Sequence, residues 1–136
     1  MTKKQTIAVD FDGTCVSHAY PVIGDDIGAV PVLQRLTAEG HKIILYTMRS
    51  KKTLEEAVEW FNDQDIPLYG VNLNKSQPNG TTSPKVFAHL YIDDAALGIP
   101  LLRPVMRDVG NARPFVNWEA VETLLERSGH LPPRRA

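Results

Sequence analysis

The chain carries a single cysteine, Cys15, so it has no internal disulfide and no multi-cysteine metal site. No apolar run approaches the ~20 residues needed to span a bilayer. No hydrophobic signal-peptide segment follows the opening Met-Thr-Lys-Lys-Gln-Thr. Net charge is also lacking: 15 Lys+Arg stand against 16 Asp+Glu, a balance of −1, which provides no whole-molecule field to gather nucleic acid or an anionic membrane. No internal repeat of roughly 20–50 residues is visible, which removes solenoids and propellers. These absences predict a cytoplasmic protein with no membrane partner and no nucleic-acid track. What remains is an ordinary globular composition over 136 residues, which predicts a single domain spanning 1–136. A chain of this size buries roughly two-thirds of the surface its unfolded form exposes, enough for a core without staples.

Short apolar runs alternate with helical patterns. Ile7-Ala8-Val9 is a compact strand-like run that stops at Asp10-Phe11-Asp12-Gly13-Thr14. Val30, Leu33 and Leu36 recur at helical spacing over 27–39, and Gly40 supplies the stop. Lys42-Ile43-Ile44-Leu45-Tyr46 predicts a buried strand leading to Thr47. Thr53 and Glu56 have capping-box spacing ahead of the stripe Leu54, Ala57, Val58 and Phe61. Beyond Pro67, residues 68–73 predict a short strand and 74–83 a polar loop, either a lid or disordered. Ser83-Pro84 predicts the cap of a brief helix over 85–88, and 89–92 a further strand ending in Asp93-Asp94. After Gly98 the pattern fades until Asn117, the expected N-cap of a helix over about 117–128, with Val116 stapling onto Val121.

Strands alternating with helices predict an α/β fold: a three-layer Rossmannoid sandwich with a central, mostly parallel sheet and helices on both faces. In such sheets ligands bind beyond the carboxyl ends of the strands. Asp10, Thr47 and Asp93 each directly follow a predicted strand, and Lys85 stands just ahead of the last one. Asp10 and Asp12 on one turn, facing Asp93 and Asp94, repel one another unless a cation is present. A hard ion with oxygen ligands, Mg²⁺ above all, resolves that repulsion. A carboxylate so placed is able to attack phosphorus, and a second one two residues on to exchange a proton with the leaving oxygen and then with water. Lys85 would neutralise phosphoryl charge while the Thr47 hydroxyl bonds a phosphoryl oxygen.

Asp10-Phe11-Asp12-Gly13-Thr14 resembles the Asp-x-Asp-x-Thr signature of the haloacid dehalogenase (HAD) superfamily, most of whose members are Mg²⁺-dependent phosphohydrolases. Thr47, Lys85 and Asp93-Asp94 match the remaining motifs in chain order, and the resemblance covers about residues 5–100. It implies Asp10 as nucleophile and metal ligand, and Asp12 as general acid/base with its backbone carbonyl on the metal. It further implies Thr47 and Lys85 as the phosphoryl-binding pair and Asp93 as a metal ligand. Asp94 becomes a ligand through water or a partner that orients the site. The stretches between Thr14 and Thr47 and between Thr47 and Lys85 are too short for a cap domain, so the chain resembles the capless group. Such members act on large phosphorylated partners or cover the open site by forming homo-oligomers. The implied activity is phosphomonoester hydrolysis through an aspartyl-phosphate, with the substrate class open.

Two other functions remain as alternatives: a non-catalytic phosphoryl-ligand binding protein, and a receiver-like phosphoacceptor domain. Motif order argues against the receiver, because here the lysine precedes the final acidic pair. Arg49 is expected as a substrate-phosphate contact for its fork geometry, with an ordinary surface arginine as the other reading. Lys75 competes with Lys85 but lies further from Asp93. Asp25 and Asp26 either join the metal site or cap the helix that follows, the second being expected. His18 either touches substrate or stands as a lone exposed histidine, the second being expected, with Cys15 as a packing residue and Trp60 and Trp118 as core.

Overall fold

A computed structural model of the chain describes residues 3–77, 81–103 and 113–134. Strand β1 (Thr6–Val9) is buried along its whole length, as expected of a parallel strand covered on both faces. Helix α1 (Ala29–Ala38) follows, burying Ala29, Val32, Leu33 and Leu36 along one stripe. Strand β2 (Lys42–Leu45), helix α2 (Lys51–Asp63) and strand β3 (Leu68–Val71) come next, then strand β4 (Leu90–Ile92). Two short strands, β5 (Leu101–Leu102) and β6 (Phe115–Val116), precede helix α3 (Trp118–Arg127).

The main sheet has the order β3-β2-β1-β4, and every pairing in it is parallel. Ile7 lies opposite Ile43 on one side and Leu90 on the other, so β1 is central. Ile7, Val9, Ile43 and Leu45 join residues of all three helices in one hydrophobic cluster that includes Phe11, Leu33, Phe61, Trp118 and Leu125. This is an α/β, three-layer Rossmann-like sandwich around a parallel sheet.

The third layer differs from expectation. Stepping from β1 to β2 to β3 in one direction, the right-handed crossover rule puts α1 and α2 on the same face. The return from β3 to β4 must then cross the opposite face, and it does so without a helix among its described residues. Asn74, Val86 and Ala88 are buried in this stretch, and the Asn74 side-chain amide donates to the Phe87 carbonyl at 2.8 Å. The brief helix expected over 85–88 does not form: the Tyr91 hydroxyl, from the neighbouring strand, accepts from the Ala88 N–H and donates to the Val86 carbonyl, which keeps the chain extended. Residues 78–80 of the expected 74–83 loop lie outside the described residues.

Two helix ends bear on the site. Helix α2 starts at Lys51, with Ser50 as N-cap, two residues before the expected capping box. Thr53 therefore sits in the first turn, and its hydroxyl donates back to the Ser50 carbonyl at 2.8 Å. Helix α3 starts where expected, the Asn117 side chain accepting from the Ala120 N–H. The β5–β6 antiparallel pair was not expected: two residues per strand are too short for a period to register. No helix among the described residues is long and apolar enough to cross a membrane.

Candidate functional site

Backbone pairing continues one step beyond the strands and fixes what stands at their carboxyl ends. The Asp10 N–H donates to the Ile92 carbonyl at 3.0 Å, the Tyr46 N–H to Val9, and the Asn72 N–H to Leu45. After Asp10 the chain reverses around the Phe11 carbonyl, which accepts from the N–H groups of Thr14 and Cys15 at 3.1 and 2.8 Å and of Val16 at 3.3 Å. Gly13 takes φ +79°, and a Cβ there would collide with the His18 ring, so only glycine fits the turn. The far side of the turn is pinned by Trp118, whose indole N–H donates to the Thr14 carbonyl at 2.6 Å.

This turn brings Asp10 to the acidic pair behind β4. Asp10, Asp93 and Asp94 each offer a carboxylate oxygen within 4.8 Å of the others, all three side chains half-buried. Burial, a hydrogen bond with Asp94 and the charge of Asp93 together raise the Asp10 carboxyl from 3.8 to about 7. Thr14 ties the cluster together. Its hydroxyl lies 2.9 Å from Asp10 Oδ2 and 3.3 Å from Asp94 Oδ1, and accepts from the Asp94 N–H at 3.0 Å. Asp93 Oδ1 accepts from the Ala95 N–H at 2.8 Å, which fixes its rotamer. An all-oxygen, all-carboxylate set is the donor chemistry that hard divalent cations prefer, so these residues fit Mg²⁺.

Asp12 points elsewhere. Its two oxygens receive Arg49 Nε and Nη2 at 2.8 and 2.7 Å, a bidentate pair. Arg49 is only 3% exposed, and its other N–H groups donate to the carbonyls of Pro21, Val22 and Thr53. All five donors are therefore committed inside the protein, neither on an incoming phosphate nor at the surface. The fork expected for a phosphate serves instead Asp12, Pro21 and Val22, which lie 37, 28 and 27 residues back, and the nearby Thr53 carbonyl.

Thr47 and Lys85 make no hydrogen bond or ion pair with the carboxylates of the cluster. The Thr47 hydroxyl accepts from the Arg49 backbone N–H at 3.2 Å, and the Thr47 N–H donates to the Asn72 side chain at 2.8 Å. Lys85 makes no ion pair with the carboxylates; its ammonium lies 5.5 Å from the centre of the Tyr91 ring. Asp93 directly follows β4, and strand alternation carried one residue further puts it on the face that bears Tyr91. Asp26 is a cap, accepting from the N–H groups of Gly28 and Ala29 at 3.2 and 3.0 Å.

Three contributors were not foreseen. Thr14 was legible in principle, because a tight turn returns the fourth residue after Asp10 to that carboxylate. His18 is half-buried rather than exposed: its Nε2 lies 3.3 Å from Asp94 Oδ2 and 3.0 Å from the Pro114 carbonyl. Asn72, at φ 52°, holds the Thr47 backbone and gives no signal in sequence. Cys15 is fully buried, its thiol donating to the Asp10 carbonyl, and burial pushes its pKa up, as suits a packing residue.

No family model matches the chain, and no curated protein compared with it does either. A solved structure described as that of a conserved protein from Bacteroides thetaiotaomicron is 34% identical, over 93% of this chain and 93% of that one, with a TM-score of 0.72. Similarity at that level over nearly the full length of both chains makes this chain a member of the same family as the conserved Bacteroides protein.

Proposed function

We propose that the protein is a capless, Mg²⁺-dependent phosphomonoester hydrolase of HAD type, acting in the cytoplasm through Asp10. The single observation that carries this reading is the convergence of Asp10, Asp93 and Asp94 behind β1 and β4. Bound by these three, with the Asp12 backbone carbonyl as the resemblance implies, Mg²⁺ would neutralise part of the phosphoryl charge. Asp10 attacks phosphorus, the bond to the leaving oxygen breaks, and an aspartyl-phosphate forms. Asp12 gives that oxygen its proton. It then takes one from the water that attacks the aspartyl-phosphate, releasing inorganic phosphate and restoring the Asp10 carboxylate. Thr14 holds Asp10 and Asp94 in register during both steps. Among the described residues the Thr47 hydroxyl only accepts, which keeps its own proton to donate to a phosphoryl oxygen, and the Lys85 ammonium makes no ion pair and is available for the same duty.

The test is phosphate release from a broad panel of phosphomonoesters with and without Mg²⁺, with Asp10→Asn as control. Mg²⁺-dependent turnover by the wild type and none by the variant is expected. Undiminished turnover in Asp10→Asn would sink the proposal. Tight retention of an ester without hydrolysis would favour a binding protein, and stable phosphorylation without turnover a receiver-like phosphoacceptor.

A further inference from the structure

We propose that Arg49 is a positioning residue that makes the loop over 17–26, a flap closed by the Ser17 N–H donating to the Asp25 carbonyl, and the Asp12 carboxylate a single mechanical unit. The inference rests on the phosphatase reading for what Asp12 does, and on the observed contacts for everything else. Arg49 spends two of its five N–H groups on Asp12, two on the flap carbonyls of Pro21 and Val22, and one on the Thr53 carbonyl in the first turn of α2. The rings of Phe11, beside Asp12, and of Tyr20, in the flap, lie 5.0 and 5.1 Å from its guanidinium carbon. No other described side chain hydrogen-bonds to Asp12, the flap and α2 at once.

Two consequences follow from the donor count. Each Asp12 oxygen still has a free lone pair, but the bidentate pair holds the carboxylate outside the Asp10–Asp93–Asp94 cluster, so turning it toward a leaving-group oxygen there breaks at least one Arg49 N–H bond. A guanidinium released from Asp12 also loses the anion that holds it beneath Pro21 and Val22. Turning of Asp12 toward substrate and loosening of the flap are thus one motion. In a protein without a cap domain, this coupling lets whatever presses on the flap set the orientation of the proton-transferring carboxylate. Lysine cannot replace it, because one ammonium with three donors cannot span a bidentate carboxylate and three carbonyls.

Hydrogen exchange and leaving-group kinetics test this together. The flap is closed by the Ser17 N–H to Asp25, the Asp25 N–H to the Ser17 hydroxyl, and the Ile27 N–H to Cys15. Asp12→Asn and Arg49→Lys should each speed exchange at these amides about tenfold, since each breaks a charge-assisted pair. Asp10→Asn, which touches no Arg49 atom, should not. Arg49→Lys should also lower kcat/KM for an alkyl phosphate about tenfold more than for p-nitrophenyl phosphate, whose leaving group needs no proton. A purely structural arginine would lower both alike, and that outcome overturns the positioning role. Unchanged flap exchange in Asp12→Asn, with wild-type hydrolysis intact, overturns the coupling while leaving the phosphatase reading standing. A wild type that hydrolyses neither ester with Mg²⁺ overturns that reading and the proton-transfer role of Asp12 with it. The exchange comparison still decides whether Arg49 joins the flap to Asp12.

Discussion

Replacing Asp10 by asparagine should stabilise the metal-free protein at alkaline pH, even as it removes the proposed nucleophile. A carboxyl raised from 3.8 to about 7 remains protonated in the native state over a range where the unfolded chain has released its proton. Stability therefore falls as pH rises through that window and levels off above about 7. The full difference corresponds to about 4 kcal/mol at pH 8. The amide imitates the protonated acid: it keeps a donor for Asp94 and an acceptor for Thr14, and carries no charge. Asp93 and Asp94 still repel each other in the variant, so a gain of about 2 kcal/mol is expected, or roughly 5–10 °C in Tm for a chain of this size. Thermal melts in chelator at pH 4 and pH 8 are the assay. Wild type and variant should melt together at pH 4, and the variant higher at pH 8. Excess Mg²⁺ should close the gap by binding the wild-type cluster more tightly. A variant no more stable than wild type at pH 8, or an advantage equally large at pH 4, would refute the reasoning, because the cost would then not come from ionising Asp10.

Thr14→Val should cost about 2 kcal/mol in urea denaturation, because it leaves the Asp94 N–H without its acceptor, and Thr14→Ser should restore most of that loss. Asn117→Ala should cost about 1 kcal/mol by uncapping α3, measured in the same way, with no change in Mg²⁺ response.

The sheet was readable because its strands end in polar residues that cannot remain inside it: Val9 gives way to Asp10 and Ile92 to Asp93. Helix α3 was readable because the Asn117 cap is a contact between residues three apart. The true start of helix α2 was not legible because the Ser50 cap makes no side-chain hydrogen bond, so local chemistry pointed instead to Thr53 and Glu56. The absent helix over 85–88 failed for a different reason. Pro84 favours a first helical turn, but Tyr91 takes up the Ala88 N–H and Val86 carbonyl that such a turn would use. Tertiary hydrogen bonds overrode a local preference there, as they commonly do for one-turn helices.

At the site, residue type was legible and pairing was not. Asp10, Asp93 and Asp94 converge because topology alone sets parallel strand ends side by side, and that follows from strand order. Arg49 shows where such inference stops. A guanidinium four residues beyond the end of β2 has the right shape for phosphate, and nearby in sequence it meets only the Thr53 carbonyl among the described residues. The competitors are Asp12, 37 residues back, and the carbonyls of Pro21 and Val22, 28 and 27 residues back. Once they and the Thr53 carbonyl are counted, no donor is left, and the same forked geometry that suits a phosphoryl group serves a carboxylate, a flap and the first turn of α2 instead. In the proposed phosphatase, substrate recognition would then fall to groups with unspent donors, which the Thr47 hydroxyl and the Lys85 ammonium retain among the described residues. Both would bind a phosphoryl group and neither would read what it is attached to, so selectivity between phosphorylated partners would arise from the surface around the cluster.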